Sequence, residues 1–126
     1  MASSIVTVSV IDAWKEGTTV DAIKAVQAKI KVVTQSLDGV LLLRFGNDEA
    51  NRRNSVSEVY KDADAFKAFL HEGLKKGGPL PELLALVDQV PGTVLFQGPQ
   101  AELDKLADVA AMFKATLFVV EPSSPF

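Results

Sequence analysis

Val6, Val8 and Val10 alternate with Thr7 and Ser9. Further on, the apolar spacing changes to threes and fours at Val20, Ile23, Val26, Ile30 and Val33. A period of two lays one face of a strand, whereas a period near 3.6 lays one side of a helix. This switch is the tightest constraint in the chain, because a segment patterned for one element cannot bury its apolar residues as the other. Thr18 followed by Asp21 reads as a capping box, with the carboxylate where the helix dipole is positive, so a helix is predicted over residues 19–36.

The same reasoning continues along the chain. The near-continuous run Val40 to Phe45 predicts a strand buried on both faces. The polar stretch "GNDEANRRN" predicts a hairpin loop with solvated, mixed charges, and "SVSEVYK" the returning strand. Asp62 and Asp64 start a helix whose apolar side is Phe66, Phe69, Leu70 and Leu74, stopped by Gly77, Gly78 and Pro79. A short helical piece over Glu82 to Val87 follows, then a fourth strand from Thr93 to Gln97. Pro99 suits the first position of a helix running from Gln100 to about Met112 with Leu103, Leu106 and Ala110 inward, and "KATLFVVEP" is a fifth strand. The tail "PSSPF" is predicted to fray, with Phe126 free to dock on a partner. The order β-α-β-β-α-β-α-β begins with the split pattern of the ferredoxin-like α+β fold, an antiparallel sheet with helices on one face. An extra α-β unit follows at the C-terminus, and residues 1–126 form one domain.

Composition narrows the function classes. Thirteen basic and 16 acidic residues give a net charge of −3, which offers no general attraction for phosphate backbones, so no nucleic-acid partner is expected. The absence of cysteine excludes disulfides, thiolate metal sites and a cysteine nucleophile. The single histidine, His71, argues against a histidine-built zinc site, and no metal is expected. No stretch approaches the ~18 apolar residues of a membrane span, and the first apolar run lacks a basic leader. A soluble, cytoplasmic protein without a membrane partner is the expectation.

Several residues carry candidate chemistry. Glu58 and Tyr60, two apart on a strand, share a face with Val56. In an apolar pocket Glu58 would have its pKa raised as a general base needs, and Tyr60 would donate to a developing oxyanion. The competing reading makes Tyr60 a core aromatic and pairs Glu58 with Arg44 of the neighbouring strand. His71 is either an acid–base group or a partly exposed residue favourable with the helix dipole near a C-terminus. Trp14, at the end of the first strand, is a ligand platform, a core lid or a dimer contact. Phe66 lies on the apolar side of its helix, and "GLKKGGP" lacks the lysine and hydroxyl of a phosphate loop and reads as a hinge.

The run "SEVY" leading into "KDADAFKAFL" resembles the strand-to-helix junction of the antibiotic biosynthesis monooxygenase domain, in the dimeric α+β barrel superfamily. The positions concerned are Glu58, Tyr60, Asp62, Asp64, Phe66 and Phe69. "FQGPQAELDKLADVAAMFKATLFVVE" is similar to the tail of one branch of it. The resemblance implies a homodimer whose two sheets close a barrel, and a pocket for a small hydrophobic or aromatic molecule. It further implies oxygenation without metal, flavin or other cofactor, with Tyr60, Glu58 and His71 catalytic and Trp14, Arg44 and Phe66 binding. Haem degradation is disfavoured, because the first strand offers Thr7 and Ser9 rather than Asn and the second helix lacks Trp. A non-redox isomerase or cyclase and a non-catalytic binding or structural dimer are the alternatives on the same fold.

Overall fold

The computed structural model describes residues 3–121. The elements are β1 (Val6–Trp14), α1 (Val20–Thr34), β2 (Val40–Asp48), β3 (Arg53–Tyr60), α2 (Ala63–Leu74), α3 (Pro79–Leu86), β4 (Val87–Gln89), β5 (Leu95–Gly98), α4 (Gln100–Asp104), α5 (Ala107–Phe113) and β6 (Thr116–Val119). The sheet runs β2-β3-β1-β5-β6, with β4 paired to β1 beyond β5. All pairs are antiparallel except β5 with β6, which α4 and α5 connect in parallel. This is the ferredoxin-like α+β fold with a C-terminal α-β extension.

The alternation of β1 is realised in its burial. Val6, Val8, Asp12 and Trp14 are buried and Val10 half-buried, facing the helices, while Ser9 and Ile11 are exposed. On β3 the inward set is Asn54, Val56, Glu58 and Tyr60, against outward Arg53, Ser55 and Ser57. Ile23, Val26 and Ile30 of α1 and Phe66 and Phe69 of α2 close the core over this face. The C-terminal extension is tied in by Glu102 of α4, whose buried carboxylate accepts the Ala63 N–H at the start of α2 (3.0 Å).

Four local expectations are corrected. Thr19, not Thr18, caps α1 by accepting the Ala22 N–H, and Thr18 instead donates to the Leu86 carbonyl (2.9 Å). The short helix starts at Pro79, whose fixed φ suits a first turn, and stops before Val87, which is extended and opens β4. β4, three residues long, carries too little pattern to be read from sequence. The helix predicted from Gln100 to Met112 breaks at Lys105–Leu106, with both Leu103 and Leu106 driven fully inside. The strand expected over Val40 to Phe45, buried on both faces, is covered on one: Leu41 and Leu42 are exposed. The tail Pro122–Phe126, predicted to fray or dock, lies outside the described residues.

Gly39 is buried where the start of β2 crosses α2, and its carbonyl accepts the Lys61 N–H (2.9 Å). A Cβ there would overlap the Ala65 side chain, which has no flexible end to withdraw. Gly39→Ala is therefore expected to cost on the order of 2 kcal/mol, measurable as a lower Tm by circular dichroism.

Candidate active site

Between the inner face of the sheet and α1, α2 and α3 lies a cavity of about 120 Å³. Its wall is apolar except for Asp12, Glu58 and Gln89, and no lysine, arginine or histidine lines it. Valines of β1 and β3 form the floor, Phe66 and Phe69 of α2 the opposite side, and Leu80 and Leu83 of α3 one flank. Gly73 makes that flank possible, because a Cβ there would collide with Leu80. Leu84 lines the cavity yet is 48% exposed, which marks the side of α3 as the opening. Nearby, the Gln89 Nε2 donates to the Phe113 carbonyl (2.7 Å), strapping β4 to the end of α5.

Two carboxyl groups enter this apolar space. Glu58 sits opposite Val8 on β1 and Leu43 on β2, so its direct cross-strand partners offer it no cation. Burial is the main cause that pushes its pKa up to about 7; the Tyr60 hydrogen bond opposes the rise and the Asp12 charge adds to it. Asp12, directly across from Asn54, is pushed up to about 6, again by burial, with the Asn54 amide pulling the other way. The two carboxyls stand on adjacent strands with Val10 and Val56 between them, so a ligand on that floor would meet both.

The Tyr60 hydroxyl donates to Glu58 Oε1. Its ring is fully buried, 4.9 Å from that of Phe66 and 5.9 Å from that of Phe69. Tyr60 does not itself line the cavity. Burial and the adjacent carboxylate raise its pKa, so it stays a neutral donor. It acts through Glu58 by occupying one oxygen.

Other sequence candidates are placed differently. His71 is exposed in the last turn of α2 and does not line the cavity. Leu70 takes the wall position, and one further helical residue turns the imidazole about 100° away. Arg44 is exposed on the outer face beside Ser57, because an irregularity between Val40 and Leu42 sets Leu43 and Phe45 inward. The suggested Arg44–Glu58 pairing therefore cannot form across the sheet. Trp14 is buried just outside the cavity; its Nε1 donates to Asn54 Oδ1 (3.0 Å), and the Arg52 guanidinium lies 5.7 Å from its ring. Arg52 is not merely solvated: it also bonds the Lys15 and Thr18 carbonyls (3.0 and 2.9 Å). Phe66 does line the cavity.

Sequence reasoning missed Asp12 and Asn54. Asp12 continues the alternation of Val6, Val8 and Val10, and Asn54 that of Val56, Glu58 and Tyr60. A polar residue standing in an inward register was the available signal. Among the described residues no group of three His, Asp or Glu side chains could hold a metal ion, and no helix is long and apolar enough to cross a membrane.

No family model and no curated protein matches the chain. Solved structures do. MupZ from Pseudomonas fluorescens is 24% identical with a TM-score of 0.77, over 100% of this chain and 91% of that one. A dimeric ferredoxin-like protein of unknown function from Thermobifida fusca is 16% identical with a TM-score of 0.58, over 75% and 89%. The N63A mutant of SnoaB, a cofactor-independent oxygenase from Streptomyces nogalater, is 18% identical with a TM-score of 0.56, over 70% and 88%. At these identities the likeness establishes the fold.

Burying two carboxyls makes stability depend on pH in a stated direction. The folded pKa values of about 7 and about 6 exceed the ordinary 4.5 and 3.8, so the native state holds protons that the unfolded chain has released. This contribution is fully present below pH ~4 and is lost as pH rises through ~7. For Glu58 it is on the order of 3 kcal/mol. Urea melts are expected to show Glu58→Gln more stable than the parent at pH 8, with no such gain at pH 4.

Proposed function

We propose that this protein is a non-redox acid–base enzyme acting on a small, uncharged, apolar molecule, such as an isomerase or a cyclase. The observation that carries this is the pair of carboxyls, Asp12 and Glu58, that line one apolar cavity across the Val10–Val56 pair, both with proton affinity raised by burial. The Asp12 charge makes ionisation of Glu58 harder, which favours a state with Asp12 ionised and Glu58 protonated. Asp12 removes a proton from a C–H or O–H of the substrate, and Glu58 delivers one to an oxygen at the other end of the floor. The substrate keeps its formula, and the two carboxyls regain their starting states by exchanging protons with solvent. Tyr60, bonded to Oε1, leaves the second Glu58 oxygen for the substrate. A cavity without a cationic side chain favours a neutral ligand, because a carboxylate or phosphate would be desolvated there without a partner.

The runner-up is oxygenation of a phenol or quinone-type molecule without metal or flavin. Its support is the fold shared with the SnoaB oxygenase, and here a carboxylate would take the phenol proton. The working unit proposed for either reading is a homodimer. The outer sheet face carries Ile11, Leu42 and Phe118 exposed at 41, 36 and 46%, and the related Thermobifida fusca protein is described as dimeric.

Native mass spectrometry of freshly purified protein is expected to give twice the 13.5 kDa subunit mass, with a small neutral adduct that identifies the substrate class. With that compound, Asp12→Asn and Glu58→Gln should each lower kcat by about 10²–10⁴-fold with binding nearly intact, while His71→Ala changes neither. Turnover without oxygen uptake supports the non-redox reading. Stoichiometric uptake would move the assignment to oxygenation, and full activity in both carboxyl variants would overturn the site.

A further inference from the structure

Asn54 is 2% exposed, and its Nδ2 is the one buried side-chain polar atom among the described residues that lacks a hydrogen-bond partner. Its other end is fixed. An indole N–H can only donate, so the atom that meets Trp14 Nε1 at 3.0 Å must be the amide oxygen, and the free end is the donor. Asn54 and Asp12 are directly paired across β1 and β3, with both side chains inward. An orphaned donor therefore stands beside a buried carboxyl group.

Resting on the acid–base reading above, we propose that Asn54 is a positioning residue: its amide, anchored by Trp14, presents Nδ2 to the Asp12 carboxylate and sets that carboxylate's orientation in the cavity. The anchor matters because a freely rotating amide would also offer its oxygen, which repels a carboxylate. The arrangement separates the two acids. Asp12 faces an amide donor that favours its ionised form; the Tyr60 donor of Glu58 acts within a more fully desolvated site, and the Asp12 charge makes ionisation of Glu58 harder still. On the other side of Asp12, β4 places Gln89, whose Nε2 is already engaged by the Phe113 carbonyl. The helices that wall the cavity present it only apolar side chains, which leaves Glu58 on β3 as the titratable group facing Asp12 from another element.

The test is a pH titration of the side-chain carboxyl carbons of the full chain by 13C NMR, which needs no substrate. Asn54→Leu, similar in volume and without a donor, is expected to raise the Asp12 midpoint by about one pH unit, the size of one charge-assisted hydrogen bond that Nδ2 closes onto Asp12 when it ionises. Trp14→Phe keeps an aromatic ring and removes only the anchor's N–H; it should raise the midpoint by a smaller amount, and it serves as the test if Asn54→Leu does not fold. A role confined to packing would leave Asp12 unmoved. An unchanged Asp12 midpoint in the folded variants overturns the proposal and leaves the acid–base reading standing. A parent Asp12 that titrates near the ordinary 3.8 removes the acid–base reading, and the proposal with it.

Discussion

The register between β1 and β3 is the constraint on which the site depends. Eight consecutive pairs, from Val6 with Tyr60 to Ala13 with Arg53, put Asp12 opposite Asn54 and Val8 opposite Glu58. Side chains on a strand alternate faces, so a slip of β3 by one residue would turn Glu58 to the outside, away from Asp12, and bring Ser55 and Ser57 in. The helices that pack over β1 and β3 are what forbid such a slip. They require Val6, Val8, Val56 and Tyr60 inside, and the polar residues of the same register are carried in with them. The hydrophobic pattern thus delivers the chemistry: Asp12 and Glu58 are buried because their neighbours must be.

That delivery has a thermodynamic cost, and the structure shows where it is offset. A carboxylate in an apolar wall loses solvation that only a hydrogen bond or a proton can replace. Glu58 has Tyr60 on one oxygen, and Asp12 has the Asn54 amide beside it; neither has a cation. A basic partner would have stabilised both charges and lowered both pKa values, which would leave no acid in the cavity near neutral pH. Arg44, which could have played that part from β2, is turned to the opposite face by the irregularity at Val40–Leu42. The missing salt bridge and the retained proton are one feature: without a cation, burial is answered by protonation.

How much of this was legible in the sequence follows from which signals are local. The ferredoxin-like order could be read because β1, α1, β3 and α2 each carry a clean period. The Glu58–Tyr60 pair could be read because two residues of one strand share a face whatever that strand pairs with. Asp12 needed one more step: to extend the alternation of Val6, Val8 and Val10 through a polar residue instead of ending the apolar face there. Arg44 could not be placed, because a single irregularity in β2 reverses its face and leaves no trace in composition. His71 was drawn in by its chemistry, and one residue of helical rotation puts it outside. β4 and the break between α4 and α5 depend on contacts between distant segments, such as Trp14 with Val87, that no short window contains.

The distribution of polarity between the layers bears on how such a site could change. The sheet supplies the carboxyls and their fixing groups, held by a continuous hydrogen-bonded register. The helices supply only apolar bulk, from Phe66 and Phe69 on α2 to Leu80, Leu83 and Leu84 on α3. Substitutions on α3 would reshape the cavity without disturbing Asp12 or Glu58, since that helix is eight residues long, is preceded by Gly77 and Gly78 and packs Leu80 into the gap at Gly73. Under the proposed acid–base reading, a polar floor fixed by strand pairing beneath an apolar roof would separate the choice of substrate from the handling of protons. On this fold, a change of ligand would then be easier to reach than a change of the proton-handling pair.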